Sequence, residues 1–467
     1  MVNSQRAGTV VPRSAPLAAD LLLHGALVLT MDNERRVFGH GAVAVKDGSI
    51  VDVGDADDVR RRWCAEHALD LSGMVITPGL ITAHIHLTGD NLFPGLQPDD
   101  VTDHDHMTKW VLPAYEHSTP EDERAAARLT ILQMLRQGTT AFIEAGTCLY
   151  PSAVLDGLKE FGMKGAIGAW VSDGWASPGR FAATTCQAIA KLHEAASLPA
   201  ASVKVWPSIL GSTLCSDDLF REASRLAHSL DRQWTFHLSP TASDGDYFRQ
   251  HKGSDPLVHL EKLGVLDERC VIGHAIHISD REVEAINSSG ANVAFSPTSA
   301  LRLASGITTV GRHPDLSHVA LGTDAQNASN HVDLLRAADL ACLAYAEARK
   351  RQAALTAERT LEWLFLGGAR AMNLRSAIGS VEIGKRADIA VFDPGLPVFN
   401  VANSLVHGTP RAIHAFIDGR HILRSGHVYG EEEIISDAVK AGQDLAKRAG
   451  LPLSTGWKPV PKIVAEG

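Results

Sequence analysis

The residues best suited to chemistry in this chain stand at the ends of apolar runs. The first run is Pro78-Gly79-Leu80-Ile81-Thr82-Ala83-His84-Ile85-His86. Alternate residues of a strand point to one face, so both imidazoles of a His-x-His pair can reach a single ion. A second run, Trp234-Thr-Phe-His237-Leu, also ends in a histidine. The third is Cys270-Val-Ile-Gly-His274-Ala-Ile-His277, and the fourth, Val319-Ala-Leu-Gly-Thr-Asp324, delivers a carboxylate. Each alone reads as readily as a buried, hydrogen-bonded side chain. Four in order, each closing a strand-like run, point to a metal centre. Imidazoles with a carboxylate suit Zn(II) or Fe(II), ions that activate water for hydrolysis near neutral pH.

Side chains this far apart in the chain need a scaffold that brings strand ends together. Between residues 78 and 373, strand-like and helix-like stretches alternate, which predicts βα units and a parallel sheet. Helix signals are clear at three places. Thr119 caps a helix with Pro120 in its first turn and Gly138 past its end, Ser279-Asp-Arg-Glu282 is a capping box, and a further helix follows Thr356. In a barrel of parallel strands, the C-terminal strand ends form the active-site face. The predicted fold class is therefore α/β, a distorted (β/α)8 barrel. Runs rich in β-branched residues from Asp20 to Gly54, and again from Ile378 to Arg420, predict a small composite β-sandwich built from both chain ends. The expected boundaries are a leader at 1–19, sandwich at 20–77, barrel at 78–373, sandwich again at 374–430, and a C-terminal helix and tail at 431–467.

The 467 residues suit one large barrel plus a smaller domain, and the 22 histidines fit metal chemistry. A net charge of −10 offers no basic surface for nucleic acid or anionic membrane. No apolar run is long enough to span a bilayer, and no apolar segment typical of a signal peptide follows Arg6 and Arg13. A cytoplasmic location is expected. Six scattered cysteines without CxxC spacing argue against zinc ribbons and are expected as free, buried thiols.

Over roughly residues 20–430 the sequence resembles the amidohydrolase superfamily. Within it the match is to the branch of cytosine, guanine, adenosine and S-adenosylhomocysteine deaminases and s-triazine hydrolases. The four strand ends carry the likeness, together with Ser296-Pro-Thr-Ser-Ala-Leu-Arg-Leu-Ala-Ser-Gly306, Gly322-Thr-Asp-Ala-Gln-Asn-Ala-Ser-Asn330 and Gly379-Ser-Val-Glu-Ile-Gly-Lys-Arg-Ala-Asp388. The resemblance implies one divalent metal ion per subunit, zinc ahead of iron, held by His84, His86, His237 and Asp324. It implies catalytic roles for His274, as an electrophilic aid, and for Asp324, as the proton shuttle. No lysine matches the carbamylated bridge of dinuclear members; Lys204 lies near a strand but its pattern differs. Small-molecule substrates and a homodimer or larger homo-oligomer are implied as well.

Three departures bear on the substrate. Family deaminases carry Glu three residues after the histidine of the fifth barrel strand, to protonate a ring nitrogen; here that position is Pro240. Asp244 and Asp246 are the nearest carboxylates beyond it, expected in the following loop. Ser208 replaces a substrate-contacting histidine in Trp206-Pro207-Ser208, and Thr108 and Lys109 precede Trp110 where nucleoside deaminases carry acidic residues. Water activation survives these changes and ring activation does not. They favour hydrolysis of an amide, urea or carbamate, such as an aryl urea or anilide. Deamination or dechlorination of a purine, pyrimidine or s-triazine is the alternative.

Trp110, Ser208, His104 and Asn327 are candidate substrate contacts, with Leu92 and Phe93 as further apolar walls. Asp103-His104-Asp105-His106 is expected to be a solvated loop. Glu144 ends a strand at the catalytic end, His277 is expected behind the metal site, Asn327 and Asn330 are expected to shape the loop after Asp324, and Tyr247 and Trp175 are either pocket walls or core.

Overall fold

The structure, a computed structural model, describes residues 15–96, 105–174, 179–199, 201–306, 316, 318–352 and 354–451. His104 and Trp175 fall outside them, as do most of the expected leader and the tail beyond the C-terminal helix.

Two four-stranded parallel sheets follow one another in the middle of the chain. To number the strands, the terminal sheet contributes β1 (Leu17–Leu29), β2 (Val37–Lys46), β3 (Ser49–Asp55), β4 (Trp63–Asp70) and β5 (Val75–Pro78). The first parallel sheet holds β6 (Leu80–Ile85), β7 (Thr139–Glu144), β8 (Lys164–Ile167) and β9 (Val203–Val205). The second holds β10 (Trp234–Leu238), β11 (Cys270–His274), β12 (Asn292–Phe295) and β13 (Val319–Leu321). Main-chain bonds join the two sheets at both seams. His237 N donates to Leu210 O at 3.0 Å, and Asp324 N donates to His84 O at 3.0 Å. The eight strands thus form a distorted barrel of the TIM type.

Side-chain alternation explains why these runs are strands. Ala141 and Ile143 of β7, Ala166 of β8, Val271 of β11, Ala294 of β12 and Ala320 of β13 share one interior cluster. Their neighbours Phe142, Ile167, Ile272, Val293 and Leu321 face the surrounding helices. The helix over Pro120–Arg136 starts as predicted, with Thr119 and Asp122 forming a reciprocal cap. Ser279 N donates to Glu282 Oε2 at 2.8 Å to start the helix over Asp280–Ser289, and Thr356 caps Ala357–Glu362.

Both chain ends meet in one nine-stranded sheet, which adds β14 (Ile389–Asp393), β15 (Arg411–Ile417), β16 (Arg420–Arg424) and β17 (His427–Val428). The expected composite β domain is therefore present, and its strands are hydrogen-bonded continuously from one chain end to the other. β5 pairs with β1 on one side and with β14 on the other, so the two ends are stitched into a single hydrogen-bonded layer. The first strand also begins at Leu17, inside the expected leader. In β1 the register shifts at Gly25, whose φ is +82°. That extra residue keeps Leu21, Leu23, Ala26 and Val28 on one buried face with Val391 and Phe416.

Lys164 at the start of β8 ties barrel to sheet. Its Nζ donates to both oxygens of Asp388, at 2.8 and 2.9 Å, and to Asp418 Oδ1 at 2.8 Å. Asp388, which closes the Gly-Lys-Arg-Ala-Asp motif, is thereby a structural anchor. The C-terminal helix spans Glu431–Ala449 and contributes Leu445 and Ala446 to a cluster with Phe93 and Ala114. Among the described residues no helix is long and apolar enough to cross a membrane. All six cysteines are free; Cys64 and Cys186 are exposed, against the expectation of buried thiols.

Candidate metal centre and active site

The barrel's C-terminal end gathers the histidines and aspartate singled out in the sequence. The His84 ring centroid lies 5.3 Å from that of His86, 5.0 Å from His237 and 4.8 Å from His274. Asp324 Oδ1 is 3.1 Å from His86 Nε2 and 3.7 Å from His84 Nε2. One ligand atom from each of His84, His86 and His237 can meet within 4.8 Å, and so can one from each of His84, His274 and Asp324.

Local backbone irregularities aim these side chains. On β6, Ile81 and Ala83 point into the barrel, whereas Ile85 and Leu87 point outward. The strand loses register with β7 between Thr82 and Ile85. That slip turns His84 and His86 inward together. On β10, Trp234, Phe236 and Leu238 pack outward, which leaves Thr235 and His237 on the inner face. His274 and Asp324 both adopt left-handed φ, at 73° and 64°. Such conformations are costly for non-glycine residues and persist where the surroundings enforce them. Two glycines make room for His84. A Cβ at Gly273 would lie 2.7 Å from His84 Cε1, and one at Gly322 would lie 2.6 Å from His84 Cβ.

The surroundings favour an ion here. His84 is 1% exposed, and neither of its ring nitrogens has a hydrogen-bond partner among the described residues. Leaving two buried nitrogens unpaired is expensive, and a coordinated cation relieves one of them. His237 Nδ1 is 3.0 Å from Leu210 O, so it carries the proton and leaves Nε2 free. His86 Nδ1 lies 2.6 Å from Thr147 Oγ1, which donates at 2.5 Å to Glu144 Oε1. Glu144 is fully buried and also accepts from the backbone N–H groups of Gly146, Thr147 and Gly168.

Burial and the other imidazoles hold the His237 pKa well below the usual histidine value. Burial likewise lowers His274 to about 4. For His86 burial acts downward, but Asp324 outweighs it and the pKa rises. Asp324 is buried too, and the imidazoles of His84 and His86 hold its pKa well below the carboxylate range. The donor set is thus two neutral imidazoles, an imidazole–carboxylate pair and His84, whose ring nitrogens make no hydrogen bond among the described residues, which suits a divalent cation.

Above these residues opens a cavity of about 400 Å³. Its walls include Met107, Val111, Trp170, Leu210, Leu214 and Leu303, with polar groups at His106, Ser212, Asp244 and Asn327. Asn327 is therefore where it was expected; its Nδ2 donates to Asp90 Oδ2 at 2.5 Å.

Other expected contacts lie elsewhere. Trp110 packs with Leu92 and Phe93 against Leu445 of the C-terminal helix, so none of the three walls the cavity. Ser208 is fully buried against Gly146 and Gly168, and its hydroxyl has no partner among the described residues. Ser208 is not among the residues that line the cavity. His277 is exposed, and its Nε2 is 2.7 Å from Ser305 O, so it does not support a metal ligand. Tyr247 is exposed. Asn330 accepts from Gly95 N at 2.9 Å, as a loop-shaping residue would. Lys204 is an exposed residue of β9 between two buried valines.

His106 reverses its expectation. It is 4% exposed and lines the cavity, where a solvated loop was predicted. Asp244 and Asp246 lie on a helix, Ala242–Lys252, and not in a loop. Asp246 is exposed and pairs with Arg249, whereas Asp244 is buried and lines the cavity.

Comparisons with known proteins agree with this geometry. The Amidohydrolase family model matches residues 75–422, and an imidazolonepropionase-like composite domain of bacteria matches residues 41–63. A 5-methylthioadenosine/S-adenosylhomocysteine deaminase from Syntrophobacter fumaroxidans is 32% identical, over 87% of this chain and 93% of the relative. An adenosine deaminase from Xanthomonas campestris with bound zinc superposes with a TM-score of 0.86 at 25% identity, covering 92% of this chain and all of its own, 100%. An atrazine chlorohydrolase from Arthrobacter aurescens, complexed with zinc, has the same fold, with a TM-score of 0.81 at 21% identity over 90% of this chain and 100% of the other. With its family model spanning the whole barrel and part of the terminal sheet, the chain belongs to the amidohydrolase family and is a metal-dependent hydrolase of carbon–nitrogen bonds.

Proposed function

We propose that the enzyme removes an amino group, as ammonia, from a neutral nitrogen heterocycle of purine type that carries an apolar substituent. The observation that carries this reading is the cavity itself, with a histidine–aspartate floor and a largely apolar wall. Relatives named as deaminases of 5-methylthioadenosine and S-adenosylhomocysteine and of 5′-deoxyadenosine support it, since methylthio- and deoxyadenosine combine an aminopurine with a less polar 5′ group. Thr108 and Lys109, in place of acidic residues, also fit weak demand for ribose hydroxyls.

His84, His86, His237 and Asp324 would hold one divalent ion, zinc or iron(II). Such an ion supplies Lewis acidity and lets water ionise near neutral pH. Asp324 takes the proton of the attacking water and passes it to the departing amine. Its Oδ1 accepts from Ala325 N at 2.7 Å, which fixes the carboxylate's rotation for both transfers. His274, neutral through burial, donates a hydrogen bond toward the carbon substituent that gains negative charge.

Hydrolysis of an amide, urea or carbamate is the second reading. Pro240 favours it, since this cavity-lining residue cannot transfer a proton. A substrate panel separates the two. Ammonia release from aminopurine nucleosides, abolished by chelation and restored by zinc, is expected. Turnover of aryl ureas or anilides with no ammonia from any heterocycle would reverse the order, and chloride release from chloro-s-triazines would mark a dechlorinase.

A further inference from the structure

Pro240 leaves a deaminase of this kind without a proton donor for the ring. An aromatic amidine carbon is a poor electrophile until its ring nitrogen is protonated, so some other acid in the cavity has to serve. We infer that Asp244, from the first turn of the helix over Ala242–Lys252, is the catalytic acid that protonates the heterocycle nitrogen. This inference rests on the deaminase reading.

Geometry sets Asp244 apart from every other carboxyl near the cavity. It lines the same space as His237, His274 and Asp324, and only 8% of it is exposed. Asp324 is committed to the metal centre. Asp90 is buried under Thr88 and Asn327, and Glu144 under Thr147; neither lines the cavity. Asp246, the other candidate beyond Pro240, is exposed and neutralised by Arg249.

A hydroxyl beside Asp244 can serve it both with and without its proton. Ser212 Oγ stands 3.0 Å from Asp244 Oδ2 and 3.2 Å from His237 O. A hydroxyl has one proton, and a backbone carbonyl can only accept. When the Ser212 hydroxyl donates to His237 O, its lone pair accepts a hydrogen bond from the carboxyl O–H of the resting Asp244, which leaves that partner when it turns to the ring nitrogen. When Asp244 has given that proton away, the same hydroxyl swings to donate to the carboxylate. Ser212 thus serves both states of the acid.

The other neighbours are the Ser239 backbone N–H and the more distant His277, both of which favour the anion. The helix start does the same. Burial outweighs them and raises the Asp244 pKa from its ordinary value.

The proton count closes. The carboxyl O–H of Asp244 breaks as an N–H forms on the ring, while water adds its oxygen to the adjacent carbon and gives one proton to Asp324. Asp324 passes that proton to the amine, the C–N bond breaks, and ammonia leaves. The remaining hydroxyl proton returns to Asp244 as the carbon–oxygen double bond forms. The product is a lactam, and no oxidant or further reactant is needed.

The test is Asp244→Asn, compared with wild type for ammonia release, metal content and melting temperature. The expected result is a loss in kcat of about 10²–10⁴-fold with zinc content and melting temperature kept. A heterocycle alkylated at the ring nitrogen is already cationic and needs no acid. The variant is expected to keep most of its activity on such a substrate, and Asp244→Glu is expected to restore part of the activity on the neutral one. Equal kcat for wild type and Asp244→Asn on a neutral aminopurine would overturn the role of Asp244 while leaving the deaminase reading intact. Equal losses on the neutral and the cationic substrate would overturn it too, by marking a structural role. Should Asp244→Asn misfold, Ser212→Ala is read the same way, with a smaller kcat loss confined to the neutral substrate. A wild type that releases no ammonia from any heterocycle would overturn the deaminase reading and this inference together.

Discussion

Thr147→Val is the most informative single change outside the metal ligands. Valine has nearly the shape of threonine and removes only the hydroxyl. That hydroxyl gives its proton to Glu144 Oε1 and therefore faces His86 Nδ1 as an acceptor. It fixes the tautomer with hydrogen on Nδ1, which leaves Nε2 to the ion. The replacement deletes one bond to a carboxylate and strands a buried N–H. Glu144 keeps three backbone donors, so its share of the loss is small. The stranded His86 N–H costs about 1–3 kcal/mol, and the freed ring rotation lowers metal affinity about 10–100-fold. Chelator competition for zinc, read beside the melting temperature of the metal-free protein, separates the two effects. Thr147→Ser restores affinity if the hydroxyl is what matters. Unchanged zinc affinity in Thr147→Val would refute the tautomer chain.

Three further outcomes are expected. Gly273→Ala pushes a methyl to 2.7 Å from His84 Cε1, so metal stoichiometry falls and stability drops by about 1–3 kcal/mol, whereas Gly39→Ala, with open space around it, is close to neutral in the same assays. Glu123 is buried, which raises its pKa from 4.5 to about 8. The folded state then holds a proton that the unfolded chain has released, so stability is full below about pH 4.5 and falls as pH rises through about 8; melting curves for wild type and Glu123→Gln, compared from pH 5 to 8, should diverge in that sense. Lys164→Met strands Asp388 between barrel and sheet, at a cost of about 3–5 kcal/mol in chemical denaturation; an unchanged midpoint would dismiss the anchor.

The parts of this molecule that announce themselves in the sequence are those with a period or a cap. Alternation and capping boxes located the barrel strands and the helices after Thr119, Ser279 and Thr356, and the strand ends marked the four histidines and the aspartate. The elements that stayed hidden depend on contacts between distant segments. Trp110 looks like a pocket residue until the helix over Glu431–Ala449 covers it. His106 sits in a charged, loop-like run, yet the fold buries it at the cavity wall. The continuous bonding of the composite β domain cannot be read from strand pattern, because it lies in whether β5 pairs on both edges. Asp244 was visible as a carboxyl past Pro240. Its value comes from one helical turn that faces the cavity while Asp246, two residues on, faces solvent.

His84 is also where the first and last strands of the barrel meet. Its carbonyl accepts from Thr323 N at 3.1 Å and from Asp324 N at 3.0 Å, and Gly322 presses on its backbone. The same residue therefore closes the ring and gathers the ion. Ligands from β6 and from the end of β13 come into register only once that seam is formed. Zinc uptake during refolding thus serves as a clock for the final closure. Two separately produced fragments cut between β12 and β13 would each lack a complete site and regain one together. Closing a seam between distant segments is entropically costly, and metal binding would pull that closure to completion.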